Sequence, residues 1–106
     1  MIEIREYTLA TPEALEEYGS TRWSRHITSL AAQGITTHHV WTEVTDDLPR
    51  LIAVVEYPEG ADPDALTERY MASPGFRADM DGFPVGGIVA VRTTRAVPAP
   101  ADPSRG

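Results

Sequence analysis

Three histidines, His26, His38 and His39, are the side chains of this 106-residue sequence best suited to move a proton near neutral pH. His38 and His39 are adjacent, in GITTHHVWTEV, residues 34–44. That run follows a glycine and is rich in Thr, Val, Ile and Trp, so it reads as a β-strand. Successive strand side chains point to opposite faces, so the two are expected to part, unable to chelate one metal or line one pocket together. Val40 and Val44 mark the plainer core face. His38 is therefore expected to face the interior, with His39 and Trp41 on the opposite side beside Arg5 and Tyr7. His26 stands on a helical stripe with Tyr18 and Arg22 at four-residue spacing, a set that could supply base, hydrogen-bond donor and anion clamp. The plainer alternative is a helix-flank histidine near the negative end of the helix dipole. Glu6 is a candidate base at the pocket end of the first strand, since burial raises a carboxylate pKa. Its alternative is a wet strand end paired with an arginine.

Other chemistries find less support. The chain has no cysteine, which removes disulfides, thiolate catalysis and cysteine-ligated zinc. No H-x-H, H-E-x-x-H or carboxylate cluster has metal-ligand spacing. Asp46–Asp47 reads as a turn pair, and Asp79 with Asp81 as a solvated helix end. Gly86–Gly87 precedes a strand rather than a helix, so it is no phosphate loop. The serines are not set in a nucleophile elbow. The formal charge of −7 argues against nucleic acid and anionic membranes as partners. No run is long enough to span a bilayer and the start lacks a signal-peptide pattern, so a cytoplasmic protein is expected.

The elements that must position these groups follow from periodicity. Residues 2–9 read as a strand with an even face, Ile2, Ile4, Glu6 and Thr8, and an odd face, Glu3, Arg5, Tyr7 and Leu9. Thr11 can cap a helix with Pro12 at its first position. Its stripe is Leu15, Tyr18, Gly19, Arg22, Trp23, His26, Ile27 and Leu30, and Gly34 ends it. Residues 35–44 and 50–57 are a second and a third strand, the third apolar enough for burial on both faces. Asp62–Pro63 caps a short helix with Leu66, Tyr70 and Met71. Ser73–Pro74 restarts it, with Phe76 and Met80 inward. Residues 87–97 form a fourth strand, and 98–106 are expected to be a flexible tail after a single domain, 1–97. The order β-α-β-β-α-β predicts an α+β, ferredoxin-like fold, a four-stranded antiparallel sheet with its helices on one face. The even face of the first strand and the odd residues Leu51, Ala53, Val55 and Tyr57 of the third are expected to meet the helices. The other sheet face, left bare, predicts a partner.

With these elements in order, the sequence resembles the NIPSNAP-type members of the dimeric α/β-barrel superfamily. Arg5, Tyr7 and Thr8 match R-x-Y-T of that family's first strand. Trp41 and Thr42 match its second-strand tryptophan motif. Glu56–Tyr57 matches its third-strand W-E-Y, with Val55 in place of the tryptophan. Ser73–Pro74–Gly75–Phe76 stands where D-P-E-W is frequent. The resemblance covers residues 1–97 and implies a homodimer, its two sheets closing a barrel, with a small-molecule pocket in each protomer between sheet and helices. Members of the wider superfamily include polyketide cyclases, isomerases, monooxygenases and haem-degrading enzymes. Tyr70 aligns with an acid–base tyrosine of the cyclases, while Phe76 stands where their histidine would be. The second helix has no histidine, so haem is not expected.

The function this implies is an enzyme of aromatic polyketide-type secondary metabolism. It would perform cyclisation, isomerisation or oxygenation of a hydrophobic, polyoxygenated substrate without a cofactor. His26, His38, Tyr70 and Glu6 would be its acid–base groups, and Tyr18, Arg22, Trp23, Val55, Phe76 and Phe83 its substrate contacts. The competing class is a non-catalytic dimeric ligand-binding or stress-associated protein. An enzyme needs a buried titratable group within reach of ligand, and a carrier does not.

Overall fold

The computed structural model describes residues 1–43 and 48–105. Val44 and the Asp46–Asp47 pair lie outside the described residues. The elements are β1 (Ile2–Leu9), α1 (Pro12–Glu17), a π turn (Tyr18–Arg22), α2 (Trp23–Ala31), β2 (Thr36–Thr42), β3 (Arg50–Glu56), α3 (Pro63–Met71), α4 (Pro74–Met80) and β4 (Ile88–Ala96). A short 3-10 turn, Pro103–Arg105, comes last. The antiparallel sheet has the order β2-β3-β1-β4, the ferredoxin-like topology.

The helices begin where the caps predict. Thr11 accepts a hydrogen bond from the Ala14 N–H, Asp62 from those of Asp64 and Ala65, and Ser73 from that of Phe76. Each cap is followed by a proline at the first turn. Gly34 ends the first helical segment at φ +81°, in the left-handed region that glycine enters without penalty. The π turn inserts one widened turn between α1 and α2. Ala14, Tyr18, Arg22, Trp23, His26 and Leu30 are all buried along it. Ile27, expected on the stripe, is exposed. The buried stripe beyond the π turn is Trp23, His26 and Leu30, and Ile27 falls to its flank.

Which face each strand turns inward departs from expectation at two places. β1 and β3 pair in the register Glu3↔Val55, Arg5↔Ala53 and Tyr7↔Leu51. Directly opposed residues share a face. Leu51, Ala53 and Val55 are fully buried under the helices, so the odd residues of β1 go inward with them and the even residues outward. The apolar Ile2 and Ile4 therefore lie on the outer face, while Glu3 and Arg5 are buried. Arg5 and Tyr7 are correspondingly not on the bare side of the sheet. The second departure is a break in the pairing of β2 with β3 between Thr37↔Val55 and His39↔Val54. This β-bulge leaves His38 as the extra residue. Its Nε2 lies 2.7 Å from Glu56 Oε1, on the outer face. His39 is on that same face, stacked on Trp41 with ring centroids 4.5 Å apart. The two histidines thus share a side, and neither meets the helices. β3 is buried on its inner face and only half-buried on its outer one.

The core lies between the inner sheet face and the helices and includes Leu9, Leu30, Ile35, Leu51, Val55 and Trp23. α2 packs over β2 and against α4. The β4 side is not closed in this way, and Val91 on its inner face is exposed. The gap between β1, β4 and the helices is a cavity.

Candidate functional site

The cavity has a volume of about 640 Å³. Its floor is the inner face of β1 and β4, and its roof is the π turn, α2, α3 and α4. Tyr7 from β1, Tyr18 from the π turn and Trp23 from α2 form an edge-to-face cluster, with centroid separations of 5.2 to 6.3 Å. Phe76 from α4 stacks on the His26 imidazole at 5.8 Å and 13°.

His26 and Tyr70 line this wall and meet Asp79, which does not line it, with only 3%, 4% and 5% of their surfaces exposed. His26 Nδ1 lies 2.5 Å from the Tyr70 hydroxyl and 3.1 Å from Asp79 Oδ2. The Tyr70 hydroxyl donates to the same Asp79 oxygen at 3.2 Å. α2 supplies the imidazole, α3 the phenol and α4 the carboxylate. Burial lowers the His26 pKa, and the hydrogen bond and charge of Asp79 only partly oppose it, so the ring is neutral at pH 7. Burial and then Asp79 raise the Tyr70 pKa, which keeps the phenol protonated. A buried carboxylate needs donors. The proton placement that gives the Asp79 carboxyl both of its donors puts hydrogens on Tyr70 and on His26 Nδ1. Nε2 then carries a lone pair, and it has no hydrogen bond among the described residues. His26 lines the cavity, so this arrangement holds a neutral imidazole base at its wall.

The floor is polar under the aromatic walls. Arg5 donates from Nε to Glu3 Oε1 at 2.5 Å and from Nη2 to the Tyr57 hydroxyl at 2.7 Å. Tyr57 in turn donates to Glu3 Oε1 at 3.0 Å and lies 2.7 Å from Thr67 Oγ1. Glu3 Oε2 accepts from Arg95 Nε of β4 at 3.0 Å. Burial alone would raise the Glu3 pKa, but Arg5, Arg95 and Tyr57 together hold it below its ordinary value. Tyr7, Glu3 and Tyr57 overcome the cost of burial at Arg5 and keep its charge. Tyr7 and Tyr18 are both pushed upward, first of all by burial, and stay neutral phenols.

Of the residues singled out from sequence, the structure brings His26, Tyr70, Tyr18, Trp23 and Phe76 together around this cavity. Arg22 is buried, but its guanidinium is taken up by the carbonyls of Asp79 and Asp81 and by Glu17, 2.7 Å away, so it fixes the end of α4 rather than clamping an anion. Val55 is sealed in the core, and Phe83 packs on Tyr18 and under Arg22; neither lines the cavity. Glu6 is on the outer face because the register of β1 puts it opposite Ile52 and Arg92, with Arg92 Nε 3.8 Å from its carboxylate. His38 is on the outer face because of the bulge. Asp79, expected to be solvated, is buried instead. Its signal was present: it falls three residues after Phe76 and one before Met80, on the helix face already read as inward. Glu3, Arg5 and Tyr7 required the strand register. Among the described residues no three His, Asp or Glu side chains are grouped as a metal would need.

No family model matches the sequence, and no curated protein does. Solved structures match closely in shape. An uncharacterized NIPSNAP domain protein from Burkholderia xenovorans has a TM-score of 0.75 at 20% identity, over 96% of this chain and 97% of that one. Protein Atu4242 from Agrobacterium tumefaciens has a TM-score of 0.76 at 17% identity, over 96% of each chain. An antibiotic biosynthesis monooxygenase has a TM-score of 0.55 at 15% identity, over 92% of this chain and all of that one. The chain therefore has the ferredoxin-like fold of these NIPSNAP domain proteins, the fold that the order of its sequence motifs leads one to expect. At these identities the likeness is one of fold, and function rests on the site.

Proposed function

We propose that the cavity is a cofactor-independent acid–base active site for an apolar, oxygenated small molecule, with His26 as base. The observation that carries this reading is that His26, in the wall of an aromatic cavity, has its Nδ1 in contact with Tyr70 and Asp79. Nε2 takes a proton from an acidic C–H or O–H of the ligand, and the electron pair stays on the ligand as an enolate or phenolate. The imidazolium formed is stabilised by Asp79, and Tyr70 holds the ring in place with a neutral phenol. Proton abstraction of this kind opens cyclisation and isomerisation, and makes an electron-rich carbon for oxygenation. Phe76 occupies the position where the cyclase resemblance would place a histidine. His26 reaches Tyr70 from α2 instead, with Phe76 stacked on its ring. A substrate of the aromatic polyketide type fits walls made of Tyr7, Tyr18, Trp23 and Phe76.

The test is a reaction that needs only the base. 2-Tetralone, a flat ring system with an acidic C–H beside a carbonyl, is incubated with the protein in D2O and its exchange is followed by NMR. Exchange above the buffer rate, returned to that rate by His26→Asn without loss of binding, is expected. Binding without exchange would favour a non-catalytic ligand-binding protein.

The same reading includes a homodimer. The outer sheet face carries Ile2, Ile4, Ile52 and Val54 with the His39–Trp41 stack, and Trp41 is 50% exposed. A second copy of this face would cover it.

A further inference from the structure

The floor of the cavity is built around a buried cation that has no part in the acid–base group of the roof. Arg5 sits in mid-strand on the inner face of β1, 7% exposed. Its Nε and Nη2 are engaged by Glu3 and Tyr57. Although the Tyr7 phenol is close enough to the Arg5 guanidinium to interact with it, Nη1 has no hydrogen bond of ordinary length and angle among the described residues. It is also not one of the side-chain atoms sealed away without a partner, which among the described residues are Arg22 Nε, Trp23 Nε1 and Thr37 Oγ1. It therefore keeps access to the cavity that Arg5 lines. On the floor Arg5 and Arg95 face Glu3 and Asp64, but of the two cations only Arg5 is buried. Glu3 serves Arg5 with one oxygen and Arg95 with the other. The remaining partner of Arg95, Asp64, has 79% of its side chain in solvent, where its charge is screened. Glu3 is thus the one buried carboxylate beside Arg5, and it is divided between Arg5 and the exposed Arg95.

A buried cation with an N–H edge open to a cavity is a receptor for an oxyanion. The protein as a whole is acidic, at −7, which repels multiply charged ligands from a distance. One negative oxygen on an apolar ring suits both facts better than a phosphate does. Arg5, His26 and Tyr70 all line the one cavity, so floor and roof can meet the same small molecule.

We propose that the ligand presents a single oxyanion, either a carboxylate or the oxygen of an enol or phenol, to Arg5 Nη1, with its aromatic body between Tyr7, Tyr18 and Trp23. This rests on the acid–base reading for the role of His26 and names the substrate class for it. When Nε2 takes a proton from carbon, the C–H bond breaks, an N–H bond forms, and the pair moves onto the carbonyl oxygen beside Arg5. The Arg5 guanidinium stabilises the charge where it appears.

The test is calorimetric titration at pH 7 with 2-naphthoate, its neutral isostere naphthalene-2-carboxamide, and 2-naphthol. The carboxylate is expected to bind about tenfold or more tighter than the carboxamide, as a charge-assisted contact predicts. Arg5→Met in a Glu3→Gln background, which leaves no unpaired buried charge, should abolish that preference while the carboxamide affinity is kept; a thermal melt certifies folding. If that variant does not fold, the wild-type comparison decides alone. Equal affinity for carboxylate and carboxamide overturns the proposal, as does failure of all three probes to bind. The absorbance of bound 2-naphthol separates the two oxyanion sources, since it shifts to that of naphtholate only if the phenol ionises on Arg5. Anion preference without tetralone exchange would remove the base and leave the anion site. Exchange without anion preference would do the reverse.

Discussion

His26 is kept neutral because burial disfavours an imidazolium more than Asp79 favours it, and this ties the stability of the fold to pH. Its folded pKa lies below the ordinary 6.5, so as pH falls past that value the unfolded chain binds a proton that the folded chain does not. Stability is full above the unfolded value and declines below it. Glu3 adds a second loss at lower pH. Its folded pKa is below 4.5, because Arg5, Arg95 and Tyr57 outweigh burial, so its contribution is present above 4.5 and lost as pH falls through the folded value. Thermal melts from pH 8 downward should show a decline beginning near the ordinary histidine pKa, and His26→Asn should flatten that first segment. An unchanged slope in the variant would remove His26 as its cause. At this scale the sequence was partly legible. His26, Tyr18 and Trp23 share a helical period that shows in the residues themselves, and so, in α4, do Phe76 and Asp79. Arg5 and Glu6 could not be sorted, because β1 has apolar residues on both faces, Ile2 and Ile4 on one and Tyr7 and Leu9 on the other.

At the scale of elements, the helix starts were readable from local chemistry: Thr11, Asp62 and Ser73, each followed by proline, cap within one turn of themselves. The interruptions were not. The π turn and the bulge at His38 each shift the phase of the residues beyond them, and neither has a residue signature as plain as a cap. The π turn is also where helix and sheet approach closely. A Cβ built on Gly19 would lie 3.1 Å from Leu51 Cδ1 and 4.0 Å from Thr42 Cγ2. Gly19→Val is therefore expected to destabilise the fold by about 1–3 kcal/mol, the usual cost of overpacking a filled interface. Chemical denaturation measures it; a variant as stable as wild type would mean that the interface has room. Because Tyr18 and Trp23 flank this segment, the same variant should also weaken binding of aromatic probes.

At the scale of the molecule, the outer sheet face makes the expectation of a homodimer testable. Light scattering at micromolar concentration should give twice the 11.6 kDa chain mass, and Trp41→Glu should shift it toward the monomer. A monomeric wild type would overturn the barrel arrangement. The sequence by itself determined the element order, the caps, the ferredoxin-like fold class and the helical stripe that carries Tyr18, Trp23 and His26, because those depend on neighbours within a few residues. Tertiary structure alone decided which face of β1 is buried, that His38 and His39 share a side, and that Arg5 rather than Glu6 lies in the cavity. These depend on register between strands some fifty residues apart, as in Glu3↔Val55 and Arg5↔Ala53. A register offset by one residue exchanges the two faces of a strand, so local pattern cannot fix it where both faces carry apolar residues.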